Sequence, residues 1–516
     1  MRRFHSPATA LALGIALAHI LVNMLTPYGV HRDEFLYMAM GRHLRLWQMD
    51  FPPMIAMLSE FSRWFGDSLA AIRIAPAIAV SCMVMLAARF ARELGGGRGA
   101  ETLAALAVIA NPLFLRAGNL FQPVVFDQLW WTLGLYALMR IARLEVGSVE
   151  QRRWWILFGV IGGLGLLTKF SIAFFAVGAF VAIVTTPLRR SLATSWPWLA
   201  ALIALVVGSP SVVGQIALDF PVLGQLHDLR STQLQRVGAA DFVLGQLLLG
   251  PGVILAAIGL AGLLRSPRMR DGRGAGIAAA TAFVVLLLLR GKSYYIGPIY
   301  PALFGAGAAM LVPASRAPAG RQRSLYWVVA AGITLYAVVT LPFGLPILAP
   351  PLMARYAHAM GMTEAVRTNT GDVLSLPQDY ADMLGWPAQT EAVVRAYAAL
   401  PAADRERVVL GAGNYGQAGA LDFYGSRVGL PPVISSAGSY WFFGPGARRG
   451  DVMLVLASRD SGKDLATLFE RCDIAENVRS PEHEWLVEEE RDVVVFRCSR
   501  PRMSLQAAWP GLAEQH

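Results

Sequence analysis

A series of long apolar stretches in the first 350 residues constrains the fold of this chain more than any other feature. A helix needs about 20 apolar residues to cross a bilayer. The sequence predicts an α-helical polytopic membrane protein with about 11 transmembrane helices, at residues 8–26, 69–91, 101–117, 123–142, 154–168, 170–186, 196–216, 241–264, 275–290, 294–312 and 325–346. No small-residue cleavage site follows the first stretch, so we interpret it as a retained helix rather than a signal peptide.

The composition argues against a soluble protein and against binding of nucleic acid. The chain is 55% hydrophobic and only 16% charged, whereas a soluble domain has about 25% charged residues. Its net charge of +10 comes from the apolar part, because residues 1–350 hold 29 basic and 14 acidic residues and residues 351–516 hold 16 and 21. Basic residues in the loops of a membrane protein are topology signals, and we expect no nucleic-acid partner.

Arginine clusters predict the orientation of the chain. Basic loops prefer the cytoplasm, and the clusters that fall on one side contain Arg2, Arg3, Arg92, Arg98, Arg143, Arg152, Arg153, Arg189, Arg190, Arg265, Arg268, Arg270, Arg273, Arg316, Arg321 and Arg323. Basic flanks on both sides of residues 154–186 require an even number of crossings, so we predict a tight turn near Thr168-Lys169. The N-terminus is then cytoplasmic and the segment after residue 346 extracytoplasmic.

The chain divides into two predicted domains. Residues 1–350 form the transmembrane domain, whose outer-face loop 27–68 contains an amphipathic segment, 35–47. This segment is typical of an interfacial helix, with an ordinary loop helix as the alternative. Residues 375–516 alternate short β-rich runs with helix-like segments, which is typical of a small α/β domain. Cys472 and Cys498 lie in this second domain, and the sequence leaves open whether they pair; Cys82 lies in a predicted span, where we expect it to be buried.

Acidic residues concentrate on the predicted outer face. Nine of the 14 in the first 350 residues lie there, and Asp33 and Glu34 follow the first span directly. An adjacent acidic pair can supply a general base and a group that orients it or binds a cation, although a solvated helix start explains the pair equally well. Asp127, about one turn inside the fourth span, and Asp50 are candidates for a second acid or a metal ligand.

Two of the three lysines lie in or beside apolar stretches, Lys169 and Lys292. Lys292 belongs to an outer connection that contains Arg290, Ser293, Tyr294 and Tyr295. Cations near the interface suit a phosphate head group. An interfacial aromatic belt explains the tyrosines but not the paired cations, and snorkelling toward the interface explains Lys169 as well as phosphate binding does.

Several of these segments, in this order, resemble the polyprenyl-phosphate-dependent glycosyltransferases of family 39, which include protein O-mannosyltransferases and lipid A aminoarabinose transferases. The matching pieces are His31-Arg32-Asp33-Glu34-Phe35-Leu36-Tyr37, Asp50-Phe51-Pro52-Pro53, Phe65-Gly66-Asp67-Ser68 with Arg73, Phe126-Asp127-Gln128-Leu129-Trp130, Gly165-Leu166-Leu167-Thr168-Lys169 and Gly291-Lys292-Ser293-Tyr294-Tyr295 with Tyr300-Pro301. Many relatives carry Thr-Pro-Asp where this chain has Gln122-Pro123-Val124, so the role of Asp127 as second acid stays open.

The resemblance implies a C-type glycosyltransferase fold in which Asp33 acts as catalytic base, with Glu34 beside it. It also implies a sugar donor on a polyisoprenyl phosphate, inversion at the anomeric carbon, and residence in the bacterial inner membrane. The phosphate of the donor would bind Lys292, together with Arg290, Tyr294, Tyr295 or Lys169. A divalent metal ion held by acidic residues is left open as a cofactor.

The sequence leaves the sugar and the acceptor open, and the acceptor hydroxyl could belong to lipid A, a polysaccharide, another lipid or a protein. A multi-span transporter or flippase of a lipid-linked substrate is the main alternative, although such proteins contain paired repeats and interrupted midplane helices. A non-catalytic scaffold is a third alternative, which leaves the separated Asp33, Asp127 and Lys292 elements without a role.

Overall fold

The computed structural model describes residues 7–232, 234–314, 320–361, 366, 368, 371 and 373–513. Three arginines used in the orientation prediction, Arg2, Arg3 and Arg316, lie outside these residues. The side chain of Arg321 is not described either.

The N-terminal two thirds of the chain are helical. The α-helices are α1 Pro7–Leu25, α2 Arg32–Arg42, α3 Met54–Arg63, α4 Leu69–Ile72, α5 Ile74–Glu93, α6 Arg98–Ile109, α7 Pro112–Gly118, α8 Pro123–Arg143, α9 Val149–Thr168, α10 Ile172–Thr185, α11 Trp196–Ala217, α12 Pro221–Thr232, α13 Ala239–Leu244, α14 Gly252–Arg265, α15 Arg273–Leu288, α16 Tyr300–Leu311, α17 Gly320–Gly344 and α18 Pro350–Ala359. Tighter 3₁₀ turns join several of them, at Pro187–Ala193, Gly245–Leu249, Pro267–Gly272 and Ser293–Ile299.

Among the described residues, five helices are long and apolar enough to cross a membrane: Pro7–Leu25, Ile74–Glu93, Trp196–Ala217, Pro267–Leu288 and Arg323–Gly344. Three further pairs reach that length only as bent units, with bends of 67° between α6 and α7, 93° after α10 and 106° before α14. The multi-pass helical architecture is confirmed, whereas the predicted count of 11 spans is not. The chain turns at Thr168-Lys169, where α9 ends at Thr168 and three residues separate it from the start of α10 at Ile172.

The C-terminal part contains α19 Gln378–Ala381, α20 Trp386–Ala398, α21 Ala402–Arg405, α22 Tyr415–Tyr424, α23 Ser439–Phe443, α24 Gly462–Leu468 and α25 Leu505–Ala508. Its strands are β1 Val409–Ala412, β2 Val433–Ile434, β3 Val452–Ser458, β4 Phe469–Asn477 and β5 Val493–Pro501. They form one sheet in the order β2-β1-β3-β5-β4. The β1 strand runs parallel to β2 and β3, and β5 runs antiparallel to β3 and β4.

The expected interfacial helix at 35–47 is wrong in its extent and its surroundings. The helix α2 begins at Arg32, ends at Arg42 and packs beneath α22 of the C-terminal part. Phe35 is fully buried there, with ring centroids of Trp386 and Phe423 each 5.7 Å from its own. Phe35 therefore serves packing between the two parts of the chain, whereas Leu44 and Trp47 of the same segment are exposed. A second expectation also fails, because Cys82 faces outward from α5 rather than inward.

A disulfide joins Cys472 and Cys498, which answers the pairing question that the sequence left open. The two residues face each other directly on the antiparallel strands β4 and β5. We predict that protein isolated from membranes and unfolded without reductant will react with an alkylating reagent at one thiol, that of Cys82. Mass spectrometry measures the number of labels.

A Cys82→Ala variant is the control and should take up no label until a reductant is added. Three labels on the unreduced wild-type protein would contradict the pairing and the oxidising location that such a bond requires.

Candidate active site

A cavity of about 1500 Å³ opens between the helical part and the C-terminal part. Its walls come from the start of α2, the start of α8, the α9–α10 turn, the connection after α15, and loops of the C-terminal part. Seven of the predicted site residues line it: Asp33, Asp50, Asp127, Lys169, Lys292, Tyr294 and Tyr295. Glu34 and Arg290 are not among the described residues that line the cavity. Arg290 is exposed, at a turn where its φ is +55°.

A capping box at the start of α2 positions the first two acids. The ring Nδ1 of His31 accepts the backbone N–H of Asp33, and the Glu34 carboxylate accepts the backbone N–H of His31 at 2.8 Å. Such reciprocal bonds satisfy two backbone donors that a helix start leaves unpaired. Because successive helical residues point in different directions, Asp33 faces the cavity while Glu34 points into the protein.

Glu34 is buried in an ion pair with Arg73, whose Nε and Nη2 each lie 2.8 Å from one of its carboxylate oxygens. The backbone N–H of Phe121 donates to Glu34 at 2.7 Å, and Arg73 also donates to Asn23 at 2.9 Å. Burial alone would raise the pKa of Glu34, but Arg73 and these donors lower it below its usual value. Glu34 is therefore a charged structural anchor that joins four segments.

The Asp33 carboxylate accepts two hydrogen bonds from uncharged donors. The phenol of Tyr415 donates to Oδ1 at 3.0 Å, and the amide of Gln122 donates to Oδ2 at 3.0 Å. The guanidinium of Arg32 lies 4.8 Å from the centre of the Tyr415 ring. These contacts hold the carboxylate in one orientation, and no ion pair with another described residue neutralises it, which leaves it able to accept a proton.

A second buried carboxylate, Glu490, holds Tyr415 in place. Side-chain amides of Gln389, Asn414 and Gln417 donate to it at 2.8–2.9 Å. Asn414 also caps α22 through its side-chain oxygen, so the helix that carries Tyr415 starts at a fixed point. The C-terminal part thus supplies a rigid partner to the candidate base.

Two lysines line the same cavity. The ammonium of Lys169 is 4.9 Å from the ring centre of Tyr295, and that of Lys292 is 6.0 Å from the ring centre of Tyr294. Both ammonium groups lie at a distance typical of cation–π contacts. Arg230 lines the same cavity. An anionic group in this cavity would therefore meet the positive charges of Lys169 and Lys292.

The remaining predicted acids already accept hydrogen bonds from protein groups. Asp127 accepts from Trp131 Nε1 at 3.0 Å and from Ser171 at 2.8 Å. Asp50 accepts from Ser439 at 2.6 Å. Within the part of the chain that the structure describes, no three His, Cys, Asp or Glu side chains come together as a metal site. The residues present do not fit a three-ligand metal centre, and the metal ion stays a prediction.

Sequence reasoning missed the residues that line the cavity near the C-terminal part. Arg116, near the C-terminal end of α7, forms a bidentate ion pair with Asp379, and Asp382 lies one helical turn further on. Arg116 carried one usable signal, because it is a lone cation between apolar residues. Tyr415 and the two aspartates carried none, since their distance from the helical part in sequence hides their contact with it.

Comparisons with known proteins show a similar family and a similar fold. Residues 50–213 match the family profile described as dolichyl-phosphate-mannose-protein mannosyltransferase, a glycosyltransferase family 39 domain, which confirms the predicted resemblance. The fold is similar to that of ArnT from Cupriavidus metallidurans bound to undecaprenyl phosphate (TM-score 0.63) and in the apo state (TM-score 0.61). Each match has 17% identity and covers 95% of this chain and 97% of that chain. No curated protein matches the sequence.

The buried ion pair yields a stability prediction. Replacing Arg73 by Met leaves the charge of Glu34 buried without its partner, which costs about 3–5 kcal/mol for buried pairs. We expect Arg73→Met to lower the thermal unfolding temperature of the purified protein clearly, as measured by fluorescence in detergent.

The matched control is Arg63→Met, because Arg63 pairs with Glu60 on the exposed surface of α3. An exposed pair contributes about 0–1 kcal/mol, so this variant should unfold near the wild-type temperature. Equal unfolding temperatures for the two variants would contradict the anchoring role of the buried pair.

Proposed function

Because residues 50–213 match a glycosyltransferase family 39 domain, we propose that this protein is an inverting glycosyltransferase. It moves a sugar from a polyisoprenyl-phosphate donor to an acceptor hydroxyl at the outer face of the membrane. The observation that carries the proposal is that the Asp33 carboxylate and the ammonium groups of Lys169 and Lys292 line one cavity. Transfer to a hydroxyl needs a base for the acceptor and positive charge for the departing phosphate.

Asp33 is the proposed general base. Its carboxylate takes the proton of the acceptor hydroxyl as that oxygen attacks the anomeric carbon, and the bond from that carbon to the donor phosphate oxygen breaks. Tyr415 and Gln122 orient the carboxylate, since each donates to one of its oxygens at 3.0 Å. Attack from the face opposite the leaving phosphate inverts the anomeric configuration.

The leaving polyisoprenyl phosphate is proposed to meet Lys292 and Lys169, with hydroxyl donors from Tyr294 and Tyr295. All four side chains line the cavity. Cations that meet the charge developing on the leaving oxygen stabilise the transition state. Arg290 is exposed outside the described lining, and we assign it no direct contact with the donor.

Glu34 is proposed to act as a positioning residue, through its pair with Arg73. Asp127 is proposed to hold the α9–α10 turn that carries Lys169, because it accepts from Ser171 in that turn. Asp50 is proposed to connect the outer loop to the C-terminal part through Ser439. No step of the proposed reaction passes through a metal ion.

The proposed setting is the bacterial inner membrane, with a cytoplasmic N-terminus and an extracytoplasmic C-terminal domain at 375–516. This orientation places the cavity where activated sugars are attached to lipids. The acceptor is an envelope glycolipid, a polysaccharide, another lipid or a protein, and the donor sugar is a hexose or pentose.

The test of the function uses the purified protein in lipid nanodiscs with a panel of undecaprenyl-phosphate hexoses and pentoses. The wild type should release or transfer the sugar of at least one donor. Asp33→Asn keeps the shape of the side chain but removes its basicity, and general acid–base catalysis typically contributes about 10²–10⁴-fold to a rate. We expect turnover to fall by that factor while donor binding is kept.

Asp67→Asn is the matched control, because Asp67 lies in the same outer loop, is exposed, and is not among the residues that line the cavity. Near wild-type turnover by Asp33→Asn would reject the assigned base. Movement of the intact lipid across vesicles, without release of sugar, would reject the enzyme and support the transporter.

The phosphate assignment predicts a different kinetic effect. Lys292→Gln removes a cation that lines the cavity. The KM for the donor should therefore rise and the rate of phosphate departure should fall, with kcat/KM lower by about 10-fold or more. The control is Lys463→Gln, because Lys463 is exposed on α24 in the C-terminal part. Unchanged donor affinity and turnover in Lys292→Gln would refute the assignment.

A further inference from the structure

A polar gap lies beside Asp33, at the edge of the cavity formed by the C-terminal part. The ring Nε2 of His31 faces two carboxylates at 3.8 Å, those of Asp379 and Asp382. His31 is 3% exposed and Asp382 is 5% exposed, and all three side chains line the cavity. At 3.8 Å these groups do not bond to each other directly.

The capping box determines which ring nitrogen of His31 carries the proton. Nδ1 accepts the backbone N–H of Asp33 at 3.1 Å, so it holds a lone pair. In a neutral imidazole the proton then belongs to Nε2, which becomes a donor. Within the described residues Nε2 has no hydrogen-bond partner. A buried donor without a partner costs free energy, which a ligand oxygen can restore.

Asp382 offers the complementary acceptor. Its Oδ1 is buried without a hydrogen-bond partner in the described part of the chain. Its backbone carbonyl accepts from the N–H of Arg32 and from Trp386 Nε1, at 3.0 and 2.9 Å, so the residue cannot shift easily. Burial raises the pKa of Asp382 to about 6, against the attraction of His31 and Arg32, so near neutral pH the carboxylate form accepts.

Asp379 is engaged elsewhere, because Arg116 binds both of its carboxylate oxygens. Of these three side chains, the buried atoms left without a partner among the described residues are one donor, His31 Nε2, and one acceptor, Asp382 Oδ1. A hydroxyl group both accepts and donates, so a single hydroxyl satisfies both. An anion would meet the carboxylates unfavourably, and an apolar group would leave both polar atoms unpaired.

We propose that His31 and Asp382 form a hydroxyl-binding subsite that holds one sugar hydroxyl next to Asp33. His31 Nε2–H donates to the hydroxyl oxygen, and the Asp382 carboxylate accepts the hydroxyl proton. The subsite deepens the proposed function and rests on it. The hydroxyl belongs either to the transferred sugar or to the acceptor, and the two sources have different kinetic consequences.

Two variants remove the subsite with little change to the fold. His31→Asn replaces the ring with a side chain that still caps a helix well but has no group at the position of Nε2. Asp382→Asn keeps the shape and removes the charged acceptor. The matched control is His43→Asn at the other end of the same helix, because His43 is exposed, stacks on Phe443 and is not among the cavity lining residues.

Sugar release from the undecaprenyl-phosphate hexose or pentose that the wild type uses, without acceptor, tests whether the hydroxyl belongs to the donor. Transfer to an added acceptor tests whether it belongs to the acceptor. Losing a hydrogen bond to a charged group corresponds to about 10- to 100-fold, and we expect that fall in kcat/KM for both variants. Binding of undecaprenyl phosphate alone should be unchanged. One monodeoxy analogue, of the donor or of the acceptor, lacks the hydroxyl that the subsite binds. It should be a poor substrate for the wild type, and neither variant should lower its kcat/KM further.

The subsite would be overturned if the wild type is active but both variants lower kcat/KM for every monodeoxy analogue as much as for the full substrate. Unchanged kcat/KM in His31→Asn and Asp382→Asn would also overturn it. A donor analogue that shows the effect in the release assay assigns the hydroxyl to the transferred sugar. An acceptor analogue that shows it only in transfer assigns the hydroxyl to the acceptor. A wild type that neither releases nor transfers sugar rejects the proposed function, and the subsite with it.

Discussion

The buried ion pair of Glu34 and Arg73 is the interaction on which the rest of the site depends. It joins the end of α1 through Asn23, the start of α2, the start of α5, and the connection before α8 through the N–H of Phe121. An ion pair out of contact with water is tolerated only when its remaining bonding capacity is satisfied, and here backbone and amide groups satisfy it. This arrangement also fixes the position of Asp33, because Asp33 precedes Glu34 on the same helix turn.

The C-terminal part completes the site rather than covering it. Phe35 of α2 and Trp386 of α20 pack in one apolar core, and the Glu490 carboxylate fixes the turn from which Tyr415 reaches Asp33. The two parts of the chain therefore meet at the candidate base. The cavity lining contains cations, among them Lys169 and Lys292, and carboxylates from both parts of the chain, among them Asp33 and Asp382.

Local patterns predicted the elements whose signal is periodic or continuous. Apolar runs located the helices, and the runs near Val409, Val452 and Val493 became strands. Two elements differ from what their local sequence pattern predicts, each for a physical reason. The segment around Phe35 is amphipathic, but its apolar face packs on protein and not on lipid, a distinction that periodicity does not contain. The strand β4 is mostly exposed and charged, so it carries no apolar alternation, and it forms because β5 supplies its hydrogen bonds.

The sequence by itself determined the multi-pass helical architecture, the C-terminal α/β sheet, and the placement of Asp33 and Lys292 at ends of apolar stretches, because hydrophobicity and short motifs are local properties of the chain. Only the tertiary structure decided that Glu34 turns inward to Arg73 while Asp33 faces the cavity. It also brought Tyr415 and Asp382 to the start of α2, across a separation of more than 300 residues in each case. Contacts over that distance depend on the packing of the whole molecule, which leaves no signature in either segment alone.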